Sequence, residues 1–145
     1  MSNTQPIGVF DSGVGGLTVV KALRDRLPNE TIVYLGDTAR VPYGPKSPET
    51  VQRYALELAH MLMQKNAKAI VVACNTVSSV ALPLLKEKFS VPVIGVIEPG
   101  ARAALQATSN QHIGVIGTRA TIRSGAYEKA LRATDNNVRV SKRAW

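Results

Sequence analysis

The sequence predicts an α/β protein, a doubly wound parallel sheet flanked by helices, on three observations. Short runs rich in Val and Ile recur along the chain, each continuous in apolar character, as strands buried on both faces read. Helical patterns of roughly 10 to 18 residues separate these runs. Strand and helix alternate, which implies right-handed βαβ units.

The predicted strands are Ile7–Phe10, Thr31–Leu35, Lys68–Ala73, Val91–Val96, His112–Ile116 and Asn137–Ser141. The first helical stripe runs through Leu17, Val20, Leu23 and Leu27 and stops at Pro28. Ser47-Pro48-Glu49 reads as an N-cap followed by proline at the first helical position, leading into Val51, Tyr54, Ala55, Leu58 and Leu62. Val77, Val80, Ala81, Leu84 and Phe89 mark a third helix, which Pro83 is expected to distort. Residues 99–107 and 119–133 supply two more, and Pro99-Gly100 is the best candidate boundary. The stretch Asn137–Trp145 reads as a strand with no helix after it to cover the sheet.

Composition excludes several classes. The 145 residues carry 18 Lys+Arg against 10 Asp+Glu, a net charge of +8, and 45% are apolar, so the chain is neither disordered nor membranous in character. Its apolar runs, such as Ala69–Cys74, are far shorter than the roughly 18 to 20 residues of a bilayer span. The N-terminus lacks the basic and long apolar regions of a secretory leader, and a cytoplasmic location is expected. A single cysteine excludes an internal disulfide and a multi-cysteine zinc site; no metal is expected. A basic excess raises nucleic acid as a partner, and from His112 to Trp145 seven Lys/Arg face two acids. No aromatic platform or binding motif accompanies that charge, so a solvated basic surface is the preferred reading.

In open α/β sheets, ligands bind beyond the carboxyl ends of the strands. Asp11-Ser12-Gly13, Gly36-Asp37, Cys74-Asn75-Thr76, Glu98 and Gly117-Thr118 each come directly after a predicted strand, so small, polar and reactive side chains collect at one rim. The turn Gly13-Val14-Gly15-Gly16 lacks the third glycine of a dinucleotide fingerprint and a Walker lysine. It reads as a tight helix start whose N–H groups can hold a small carboxylate. Cys74 ends a strand and begins a helix, a position that lowers a thiol's pKa and favours thiolate, although a buried core cysteine fits the same position. The loop Arg40–Ser47 suits a substrate wall, and Thr118 or Thr121 suits a helix cap. Neither histidine, His60 nor His112, falls where it can serve as a base for the thiol.

Taken together, GVFDSGVGGLTV (8–19), YLGDTARVPYGPKS (34–47), VVACNTVSSVALP (71–83), PVIGVIEPGARAA (92–104) and IGVIGTRATIRSGAYEKAL (113–131) resemble glutamate racemases of the aspartate/glutamate racemase superfamily. The resemblance implies a cofactor-independent isomerase that interconverts L- and D-glutamate and supplies D-glutamate for peptidoglycan. It implies two α/β lobes with one catalytic cysteine each, so that a proton leaves one face of Cα and returns to the other. Cys74 matches the first cysteine, Asp11 assists it and binds substrate with Ser12, and Tyr43, Gly44, Asn75, Thr76, Thr118 and Thr121 hold the amino acid. The second cysteine and its histidine belong to a GCTH-like segment that this sequence does not contain. The chain therefore reads as a C-terminally truncated racemase, with residues 1–97 the first lobe and 98–145 an incomplete second. Little or no turnover is expected of it alone. A carboxylate-binding or interaction module and an aspartate-type racemase are the alternatives, and a homo-oligomer stays open.

Overall fold

Strand β1 (Ile7–Asp11), buried at every position, is the axis of the fold. In the computed structural model, which describes residues 4–145, it pairs in parallel with β2 (Ile32–Gly36) and β3 (Ala69–Val72). Strand β4 (Val93–Gly95) pairs with β3. The order β2-β1-β3-β4 is doubly wound, with the chain leaving β1 toward β2 and then crossing back to β3.

Helix α1 (Leu17–Arg26) covers one face of this sheet, laying Val19, Val20 and Leu23 against Ile7, Val9, Val71 and Ala73. The other face packs beneath α2 (Pro48–Gln64), α3 (Asn75–Val80) and α4 (Leu82–Lys88), around the fully buried Phe10, Leu62, Ile70, Val72 and Leu85. Ser47 caps α2 as its sequence predicts: Oγ accepts the Thr50 N–H at 3.2 Å, and Pro48 occupies the first helical position.

A second parallel pair, β5 (His112–Gly117) and β6 (Arg139–Ala144), is joined through α6 (Arg119–Ser124) and α7 (Ala126–Thr134). Helix α5 (Ile97–Ala107) packs beside α7. Ile113, Val115 and Val140 meet Ala101, Ala104, Leu131 and Val138 on one face. On the alternate face Gly114 and Ile116 are exposed.

The elements depart from the predicted spans in several places, and β4 is shorter than expected, Val93–Gly95 within Val91–Val96. The helix expected across residues 77–89 is two helices that break at Ala81, with Pro83 in the first turn of the second. The helix expected over 119–133 is likewise two, divided at Gly125, whose φ of +66° is left-handed and ends α6. Helix α5 begins at Ile97, so the candidate boundary Pro99-Gly100 lies inside its first turn, where a proline's missing N–H has no intrahelical partner to lose. Strand β6 starts at Arg139 rather than Asn137, after Val138 packs against Leu131, and runs to Ala144 rather than Ser141 because pairing with β5 continues to Gly117. Among the described residues, no helix is long and apolar enough to cross a membrane.

Candidate active site

The switch point of the first sheet lies between β1 and β3, the neighbouring strands from which the chain departs in opposite directions. Their carboxyl ends deliver Asp11 and Cys74. Asp11 closes β1 with its carboxylate Oδ2 accepting the Gly16 N–H at 2.8 Å. That approach demands glycine: a Cβ on Gly16 would stand 2.7 Å from Asp11 Cβ and 3.0 Å from Ala73 Cβ. The Tyr34 hydroxyl donates to the Gly13 carbonyl at 2.9 Å, tying the turn to β2.

Cys74 caps α3 with extended backbone, and its Sγ lies 3.3 Å from Ser12 Oγ. Only 6% of the residue is exposed. The position at a helix start leads the sequence to predict a depressed pKa, and the structure reverses that. Burial pushes the thiol above its ordinary value, the Asp11 charge adds to the rise, and hydrogen bonds from Ser12 and from the backbone oppose it. The resting thiol is neutral, beside a hydroxyl poised to stabilise the thiolate.

The two layers meet at α3 and α6. Thr76 Oγ1 is 3.0 Å from Thr118 Oγ1, which is 3.0 Å from Thr121 Oγ1, forming a chain of hydroxyls from one layer to the other. Thr118 also caps α6, accepting the Thr121 N–H at 3.2 Å. Asn75 is exposed, and its Oδ1 accepts a 2.5 Å hydrogen bond from the hydroxyl of Tyr127 on α7.

Between the rim of the first sheet and strand β5 opens a cleft of about 740 Å³. Asp11, Ser12, Cys74, Asn75, Thr76, Thr118 and Thr121 all line it. Tyr43 and Gly44 do not. Tyr43 is 2% exposed and its hydroxyl donates to the Asp37 carboxylate, which also receives Arg40 Nε at 2.6 Å. Arg40 in turn stacks on Tyr54, 3.9 Å from the ring centroid. This network fixes the loop between β2 and α2, and Gly44 on that loop approaches the Thr118 side chain from outside the cleft. The histidines lie away from the thiol: His60 packs edge-on against Phe89, and His112 Nε2 pairs with Ser141 Oγ at 2.8 Å. The sequence points to no role for Tyr127, whose partner Asn75 is 52 residues away, and Asp37 and Arg40, expected at the rim and in a substrate wall, pair with each other outside the cleft.

A parallel α/β protein with one thiol at its topological switch point, facing a cleft whose largely apolar walls carry hydroxyls, an amide and a carboxylate, defines a class of thiol-bearing α/β proteins. Residues 17–145 match the Asp/Glu/Hydantoin racemase family, and the chain belongs to that family. It is 57% identical over 138 residues to a glutamate racemase of Geobacter metallireducens, covering 95% of this chain and 51% of that protein. A crystal structure of a glutamate racemase isoform from Bacillus anthracis superposes with a TM-score of 0.94 at 50% identity, over 98% of this chain and 54% of that one. A glutamate racemase from Francisella tularensis, solved in complex with D-glutamate, gives 0.87 at 45% identity, over 96% of this chain and 52% of that one. The chain thus spans about half the length of the curated relatives it matches.

Proposed function

We propose that this chain carries the Cys74 face of a cofactor-independent glutamate racemase site. The observation that carries the reading is Cys74 Sγ, 3.3 Å from Ser12 Oγ at the switch point, opening on a cleft that both layers line. The D-glutamate complex of the Francisella tularensis relative supports glutamate as the substrate. In this reading residues 1–97 form the thiol-bearing lobe and 98–145 the beginning of the facing one. The protein works in the cytoplasm and supplies D-glutamate for peptidoglycan.

Each step of the chemistry is assigned to a residue of the cleft. Cys74 gives its own proton to solvent, and the thiolate, stabilised by the Ser12 hydroxyl, then takes the proton from Cα of glutamate. Asp11 holds the Gly13–Gly16 turn and assists the thiol as a base, since the charge that raises its pKa makes the thiolate, once formed, more strongly basic. Asn75, Thr76, Thr118 and Thr121 bind the amino acid, while Tyr43 and Gly44 act through the loop that closes on Thr118. Inversion needs a second acid on the opposite face, and the 145 residues contain no second thiol. The isolated chain therefore binds glutamate and exchanges Cα–H with solvent on one face without inverting it.

Incubation with each enantiomer in D₂O tests this. Deuterium enters one enantiomer only, the Cys74→Ser variant abolishes it, and circular dichroism records no racemisation. Rapid racemisation by the 145-residue chain would overturn the one-face mechanism, and failure to bind either enantiomer would overturn the substrate. A second reading, a carboxylate-binding module without proton transfer, is favoured by the neutral resting state of Cys74. Binding with no deuterium in either enantiomer selects it.

A further inference from the structure

Tyr127 lies in the first turn of α7, within the layer of the second sheet, yet its hydroxyl is bonded at 2.5 Å to Asn75 beside the thiol of the first. The ring is half-buried and lines the cleft. It passes α5 at Gly100, where a Cβ would stand 3.5 Å from both the ring and the hydroxyl. The ring is thus set between two helices and aimed at one side chain. Burial raises the pKa of the phenol, which stays protonated and able to donate through neutral and mildly alkaline pH.

A side-chain amide carries an acceptor oxygen and two N–H donors on nitrogen. With Oδ1 of Asn75 committed to Tyr127, the nitrogen is the group left for a ligand. N–H donors attract a carboxylate, whereas a carbonyl oxygen in the same place repels one. The neighbouring Thr76 hydroxyl is already engaged by Thr118, which leaves Asn75 as the adjustable donor on this wall.

We propose that Tyr127 is a positioning residue: by holding Oδ1 of Asn75 it turns the amide so that both N–H donors face the cleft, selecting ligands that present a carboxylate. This rests on the reading of the cleft as an amino-acid site.

The experiment is calorimetric titration of the 145-residue chain with D-glutamate, joined to ¹H–¹⁵N NMR of the Asn75 side-chain amide. Tyr127→Phe weakens binding roughly fivefold to tenfold, the scale of one hydrogen bond between neutral groups. Asn75→Ala weakens it at least as much, and the double variant binds no more weakly than Asn75→Ala alone. In the wild type the Asn75 amide protons shift as D-glutamate is added. In Tyr127→Phe that shift shrinks while the backbone amides of α7 hold their positions, a signature that loss of packing alone does not produce. Wild-type binding with unchanged affinity in Tyr127→Phe overturns this inference and leaves the proposed function standing. Additive losses in the double variant also overturn it, because the two residues then act independently. Absence of D-glutamate binding by the wild type overturns the proposed function and takes the inference with it.

Discussion

Cys74 Sγ and Ser12 Oγ lie 3.3 Å apart across the join between β3 and β1, and this contact opposes the burial that keeps the thiol protonated. Alkylation by iodoacetamide reads the balance. The pH midpoint of the Cys74 reaction lies above the value of about 8.5 for a free cysteine. Ser12→Ala moves it higher, because the thiolate loses a donor. Asp11→Asn moves it lower, because a nearby negative charge disappears. A wild-type midpoint below that of free cysteine would refute the assignment.

Gly16 is predicted to tolerate no side chain. The Cβ of Gly16→Ala meets Asp11 and Ala73 at 2.7 and 3.0 Å, and backbone movement there costs about 1–3 kcal/mol in urea unfolding. Gly114→Ala is the control: nothing lies within 4 Å of its Cβ, and stability stays within about 0.5 kcal/mol of wild type.

Thr118 caps α6 and bonds Thr76 across the layers. Thr118→Val removes both, with a loss of about 1–2 kcal/mol. Hydrogen exchange locates the effect: amides of β5 exchange faster, while those of β1, buried in its own sheet, do not change. Equal acceleration in both sheets counts against a separate contact between layers.

Tyr43 predicts an alkaline limit to stability. Burial, with the Asp37 carboxylate as its hydrogen-bond acceptor, raises the phenol far above its ordinary value of about 10. The unfolded chain then releases this proton at a lower pH than the folded one. Stability from this source is complete below about pH 10 and falls as pH rises beyond it. Tyr43→Phe is less stable than wild type near neutrality, because Asp37 loses a donor, and its urea midpoint falls less steeply above pH 10. Tyr34 and Tyr127, also raised by burial, bend both curves alike, so the difference isolates Tyr43.

Much of this architecture is legible in the sequence because its signals are local. Continuous Val/Ile runs mark β1 and β3, Ser47-Pro48 marks the start of α2, and a threonine after β5 caps α6. Asp11, Ser12, Cys74, Asn75, Thr76 and Thr118 line the cleft from the first positions after a predicted strand, whereas Asp37 and Glu98, expected at the same rim, do not line it. Quantities set by distant neighbours are not legible in this way. A helix start argues for thiolate at Cys74, yet the burial that reverses the argument comes from a core shared with Phe10 and Tyr43, distant in sequence. The burial of Tyr43 is not legible in its loop, because it depends on a buried Asp37 already paired with Arg40. Tyr127 stands on a helix whose periodicity gives no hint of Asn75, 52 residues earlier. The break at Gly125 is a matter of backbone sign, which composition leaves undetermined.

Every strand of the four-stranded sheet falls between Ile7 and Gly95, and all of the second pair comes later. Ribosomes extend chains at roughly 5–20 residues per second, and N-terminal units fold first. The residues that build the thiol-bearing sheet therefore all precede those of β5 and β6 in the order of synthesis. Asn75 is made before its partner Tyr127, and the hydrogen bond between them ties the later-made layer to the earlier one. The cleft thus joins a wall made early, which holds the reactive sulfur, to a wall made late.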